Sequence, residues 1–119
     1  MKESLVAKKS YLFSIEIVKY CYFLSREKRE YVLSKQLIRS GTSIGANVEE
    51  ALGGQSRKDF VAKMSLSYKE ALETNYWLRL IRDSKIVSEK NNETLNLLNI
   101  SEELIKILSA IIRTSKKSL

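Results

Sequence analysis

The run Gly53-Gly54-Gln55-Ser56-Arg57-Lys58-Asp59 stops one helix and starts another. A glycine here can take the left-handed conformation that ends a helix. Ser56 to Asp59 then has the S-x-x-D form in which a serine hydroxyl and an acid three residues on cap a new helix reciprocally. The chain has 119 residues, no proline and only two further glycines, Gly41 and Gly45, so long helices are expected on both sides of this break.

Upstream, Leu33, Leu37, Gly41, Ile44, Val48 and Ala51 recur in steps of three and four, one face of a helix over about 31–52. Downstream, Phe60, Met64, Ser67, Ala71, Thr74, Leu78 and Ile81 do the same over 57–83. Further out, a first helix spans about 3–25 and exits through the charged run Arg26–Glu30, and a last one spans about 89–115 with Ser88 as its N-cap. The last helix has a broad apolar side: Leu97, Leu104, Leu108 and Ile111 make one stripe and Leu98, Ile105 and Ile112 its neighbour, enough for two partners. Short connections make neighbouring long helices antiparallel. The expectation is an all-α, up-down-up-down four-helix bundle, one domain over residues 1–119. Gly41 and Gly45, each costing about 1 kcal/mol against alanine inside a helix, mark a close approach by either a facing helix or a ligand.

What is missing narrows the chemistry. Without histidine, Ser-His-Asp and Cys-His nucleophile systems, His-ligated zinc and the Glu-x-x-His set of di-iron bundles are all excluded. The lone Cys21 cannot close an intrachain disulfide and reads as a small buried hydrophobe in a reducing compartment. The longest uncharged run, Ser40 to Val48, has nine residues against the roughly 20 of a membrane helix, and Lys8 and Lys9 interrupt any signal-peptide core. A cytoplasmic protein with no membrane partner, no metal and no cofactor is expected.

The formal net charge is +7, and the topology places it. One end gathers Arg26, Lys28, Arg29, Lys35, Arg79, Arg82, Lys85 and Lys90 against Glu27, Glu30, Asp83 and Glu89. The other gathers Lys2, Lys8, Lys9, Arg57, Lys58, Arg113, Lys116 and Lys117 against Glu3, Glu49, Glu50 and Asp59. The middle is close to neutral. Basic ends either solubilise the protein or attract polyanions through counterion release. Tyr20, Tyr22, Phe23 and Tyr31 interleave with Arg26, Lys28 and Arg29 and serve either packing or base stacking. The candidate phosphate contacts are Lys8, Lys9, Arg57, Lys58, Arg113, Lys116 and Lys117 at one end and Arg26, Lys28 and Arg29 at the other. The former end is slightly favoured because Arg113, Lys116 and Lys117 have no acid between them.

A polar seam crosses the bundle. Gln36, Ser40, Ser43, Asn47 and Glu50 line one stripe of the second helix with Arg39 beside it, and the third presents Glu70 and Glu73. At about 1.5 Å per residue Arg39 and Glu73 come to the same level, so a buried ion pair fixing register is expected. Acid/base work by the two carboxylates is a distant third reading, since no convergent nucleophile accompanies them.

The run Gln36-Leu-Ile-Arg-Ser-Gly-Thr-Ser-Ile-Gly-Ala-Asn47-Val-Glu-Glu-Ala51 resembles the hallmark helix of the four-helix-bundle proteins named after intervening sequences in bacterial 23S ribosomal RNA genes. A second hallmark follows as Phe60, Lys69-Glu-Ala-Leu-Glu-Thr74 and Tyr76-Trp77-Leu78. The resemblance implies a basic bundle, commonly a homopentamer, with no established enzymatic activity. A related bundle, the accessory variability protein of diversity-generating retroelements, is similar to a nucleic-acid-binding partner of a reverse transcriptase. The resulting reading is a non-enzymatic homo-oligomer that binds RNA, or an RNA-containing complex, through its basic ends. The alternative is a protein-interaction scaffold that binds no nucleic acid.

Overall fold

A computed structural model describes residues 2–117, which form four helices and no strand: α1 (Lys2–Glu27), α2 (Val32–Leu52), α3 (Arg57–Asp83) and α4 (Asn92–Lys116). The side chains of Lys2 and Glu3, counted above at one end, lie outside the described set. Each helix lies against its sequence neighbours, α4 closes on α1 and the diagonal pairs stay apart, which makes the antiparallel up-down-up-down bundle, 46 × 20 × 20 Å.

The apolar stripes meet in one core. Ile17 and Leu24 of α1, Leu37 and Ile44 of α2, Met64 and Leu78 of α3 and Leu104 and Leu108 of α4 are fully buried, each such side chain contributing about 1.5–3 kcal/mol. Both stripes of α4 turn inward. Leu97, Leu98 and Ile111 are buried and Ile105 and Ile112 half-buried, so the breadth of that side is taken up by α1 and α3 of the same chain. The outward apolar surface lies elsewhere, at Leu5, Tyr11, Leu12 and Ile15 on α1 and Leu66, Leu72 and Tyr76 on α3.

Hydroxyls stitch all four seams. Ser34 Oγ donates to the Cys21 carbonyl at 3.1 Å (α1/α2), and Ser67 Oγ to the Ile44 carbonyl at 2.8 Å (α2/α3). Asn75 Nδ2 donates to Ser101 Oγ at 3.0 Å (α3/α4), and Tyr20 OH lies 2.7 Å from Thr94 Oγ1 (α1/α4). Among the described residues no buried side-chain polar atom lacks a partner, which removes the penalty such atoms would impose.

The glycines do something other than expected. Neither Gly53 nor Gly54 is left-handed: Gly53 has φ −88°, and a Cβ on Gly54 would stand 3.0 Å from the Ala51 carbonyl oxygen, so close approach is what requires glycine there. The left-handed residues are Arg29 (φ 51°) and Lys85 (φ 60°), just beyond α1 and α3. Gly41 and Gly45 answer to a facing helix, since their Cβ atoms would meet Ile17 Cγ2 at 2.8 Å and the Ser10 carbonyl oxygen at 3.3 Å.

The helix ends are chemically explicit. Ser56 Oγ accepts from the Asp59 amide at 3.0 Å, one half of the reciprocal cap expected there. At α4 the cap is Asn91, whose Oδ1 accepts from the Thr94 amide at 2.9 Å. Ser88 serves instead the Lys90 amide in the preceding turn, so α4 begins three residues later than the expected 89. α1 runs on to Glu27, its exit closed by the Glu30 amide donating to the Leu24 carbonyl at 2.9 Å, while the Glu30 carboxylate accepts from the Leu33 amide and caps α2.

Candidate nucleic-acid interface

The antiparallel order brings the candidate cations to two opposite ends. At the α1–α2 end, Arg26, Lys28 and Arg29 occupy the last turn of α1 and the four-residue turn after it, and all three are exposed. The Arg26 guanidinium stands 5.5 Å from the Tyr22 ring centroid and the Lys28 amine 6.0 Å from that of Phe23, distances at which a cation is attracted to an aromatic face. The four interleaved aromatics separate here. Tyr20 is buried and Phe23 half-buried, whereas Tyr22 and Tyr31 stand 57% and 63% exposed. On the α3 side of the same end, Arg79 lies 5.7 Å from the Tyr76 ring. Arg82 is tied to Asp83 at 2.8 Å, a hydrogen bond that raises the pKa of the guanidinium and lowers that of the carboxyl.

At the other end, Lys8, Arg57, Lys58, Arg113, Lys116 and Lys117 are exposed. Lys9 is not free: its amine is 2.7 Å from Glu103 across the α1/α4 seam. Arg57 lies 5.4 Å from the Phe60 ring at the mouth of a cleft of about 410 Å³ that also involves Leu52, Gly54 and Ser56. Of the ten candidate phosphate contacts, Lys9 alone forms an ion pair with a described residue.

The polar seam exists, but on the surface. Arg39 bonds Glu73 and reaches Glu70 Oε2 and Gln36 Oε1, each at 3.4 Å; Glu73 also accepts from Trp77 Nε1 at 3.0 Å. The Arg39 side chain is 49% exposed and that of Glu73 35%, so the expected buried pair is corrected to a half-exposed one. Matching levels along two helices brought the partners together. What matching levels cannot reveal is that Arg39 lies towards the outer edge of the α2/α3 groove, where only Ser40, Ser67 and Thr74 go under. Ser43 and Asn47 bond back to carbonyls one turn earlier in α2, and Glu50 pairs with Lys63 at 2.8 Å, a hydrogen bond that raises the pKa of the lysine. The Glu50–Lys63 and Lys9–Glu103 pairs went unread in the sequence, although comparing levels along the helices would have found the first. Among the described residues no three acidic or thiol groups converge as a metal site would need, and no helix is long and apolar enough to cross a membrane.

These features define a class: an antiparallel four-helix bundle with cationic ends and a nearly neutral waist in which Lys19, Arg39 and Lys63 are ion-paired. The chain belongs to the family of 23S rRNA-intervening sequence proteins, whose sequence pattern matches residues 2–110. This confirms the family resemblance carried by Gln36–Ala51 and Lys69–Thr74. The chain is also similar to a crystal structure, at 1.70 Å resolution, of a protein with unknown function from the S23 ribosomal protein family of Bacteroides thetaiotaomicron VPI-5482. The two are 43% identical and superpose with a TM-score of 0.90 over 95% of this chain and 99% of that one. No curated protein matches.

Proposed function

We propose that this protein is a non-catalytic, self-associating bundle that binds nucleic acid, RNA foremost, through the cations at its ends. One observation carries the reading. At the waist three of five cations, Lys19, Arg39 and Lys63, are matched to acids, whereas nine of the ten candidate end cations have no described acidic partner. Unpaired surface cations are available to phosphate, and each contact made releases condensed counterions.

Self-association is supported by the outward apolar stripes on α1 and α3. These helices are diagonal in the bundle, so the stripes face opposite ways, and joining one to the other between copies is a head-to-tail contact, which makes a ring when the rotation between copies closes. A ring of five, as the family resemblance implies, would present each set of cations as a continuous rim and multiply its field. A cytoplasmic location belongs to the same proposal and is supported by the lone buried thiol of Cys21.

The test is fluorescence anisotropy with labelled RNA over a salt series, with light scattering for subunit number. Affinity should fall with a log–log slope of roughly −3 to −5, the value for four to six phosphate contacts. No RNA binding at about 50 mM salt would overturn the reading in favour of a protein-interaction scaffold.

A further inference from the structure

The two ends are equally charged but chemically unlike. At the Gly53–Ser56 end the exposed apolar residues among those described are the aliphatic Leu5 and Leu52; Phe60 is half-buried beside Arg57, and the nearest exposed tyrosine described, Tyr11, lies about 14 Å along α1 from its start. At the α1–α2 end two tyrosines stand in solvent within a few residues of three cations that have no acidic partner among the described residues. Tyr31 directly precedes α2, and its side chain makes no capping bond, so the helix start does not account for it. Arg29 occupies a left-handed position, φ 51°, that glycine would fill without strain.

From this combination, which rests on the nucleic-acid reading above, we infer that the α1–α2 end binds single-stranded RNA, with Tyr31 and Tyr22 stacking on unpaired bases and Arg26, Lys28 and Arg29 on the flanking phosphates. An aromatic face takes any unpaired base, whereas a duplex buries its base faces and leaves such a ring nothing to stack on but a terminal pair. The cross-section of the bundle, about 20 Å, suits a few nucleotides of extended strand. This reverses the slight preference that charge spacing alone gave to the Arg113, Lys116 and Lys117 end. Beside Arg113 and Lys116 stands Tyr68, which lines a cleft with them and is half-buried, whereas Tyr22 and Tyr31 at the other end stand in solvent.

The experiment compares full-length protein binding a labelled oligouridylate of about 20 nucleotides with binding a labelled RNA duplex of similar length, by anisotropy at about 50 mM salt. The single strand should bind about tenfold tighter or more. Tyr31→Ala, which leaves the outer face of α1 intact, should weaken single-strand binding about fivefold or more, in line with the loss of one stacked base. Arg29→Gly should weaken binding while raising the unfolding midpoint, a pair of opposite effects that a purely structural role would not produce. The triple change Arg113→Gln, Lys116→Gln and Lys117→Gln should weaken both RNAs by a similar factor and leave the single-strand preference unchanged, because phosphate contacts are common to the two. Equal or tighter duplex binding, or an unaffected Tyr31→Ala, would overturn this assignment and leave nucleic-acid binding in place. Failure of both RNAs to bind would overturn the two readings together.

Discussion

The hydroxyl of Tyr20 on α1 donates to Oγ1 of Thr94 on α4, 2.7 Å away and 74 positions later in the chain. The direction follows from the neighbour: Thr94 Oγ1 gives its own proton to Asn91 Oδ1 at 2.9 Å, so Tyr20 must be the donor. The same Asn91 oxygen caps α4, so the first helix is bonded directly into the start of the last.

Tyr20→Phe keeps the ring in the core and removes only the donor, leaving a buried acceptor underused. Urea unfolding should show a loss of about 1–2 kcal/mol with an unchanged m-value. Combined with Thr94→Val the losses should be less than additive, by about 1 kcal/mol, because the two groups share one bond.

Alkaline pH should loosen this same region. Burial pushes the Tyr20 hydroxyl up to about 12 and the Cys21 thiol up to about 11, from 10.0 and 9.0. Folding favours the neutral form of both, so the unfolded chain ionises first as pH rises. Their contribution is therefore complete below about pH 9, falls above it and is gone near pH 12, at most about 3 kcal/mol for each group. Unfolding measured across that window should show a shallower decline for Tyr20→Phe than for the parent above about pH 10.

Gly41→Ala tests how tightly α1 lies on α2. The added Cβ meets Ile17 Cγ2 at 2.8 Å in a fully buried site, an overpacking that costs about 1–3 kcal/mol against a gain of about 1 in helix propensity. A net drop in thermal midpoint is expected. Gly53→Ala, whose nearest new neighbour is at 3.7 Å, should be close to neutral.

Lys85→Gly should stabilise. The left-handed φ of 60° is strained for lysine and free for glycine, and part of the gain is offset by the greater freedom of glycine in the unfolded chain. The urea midpoint should rise by an amount equivalent to about 1 kcal/mol.

The Arg39–Glu73 pair should prove weak. With both side chains a third or more exposed, a double-mutant cycle should return about 0.2–1 kcal/mol of coupling, shrinking as salt is added. A coupling of 3 kcal/mol or more at about 0.15 M salt would mean that solvent is excluded from the seam, as burial beneath a neighbouring subunit would do.

Much of this molecule is legible in the order of its residues. Steps of three and four, no proline and a Ser56 cap determine four helices and their antiparallel path, because each is a local property of the backbone. The absence of histidine excludes whole classes of chemistry by itself, and equal distances along two helices bring Arg39 to Glu73. Only the packed bundle decided which way each face points. Periodicity spaces residues around their own helix axis but leaves the rotation of that axis to all four helices at once. Hence both stripes of α4 turned inward, Arg39 stayed near solvent, and of the neighbours Tyr20 and Tyr22 the first was buried and the second left outside. The turns obeyed closure of the bundle more than the preference of any residue, which is why the left-handed positions fell to Arg29 and Lys85 and the glycines went where α1 or a carbonyl comes too close for a side chain.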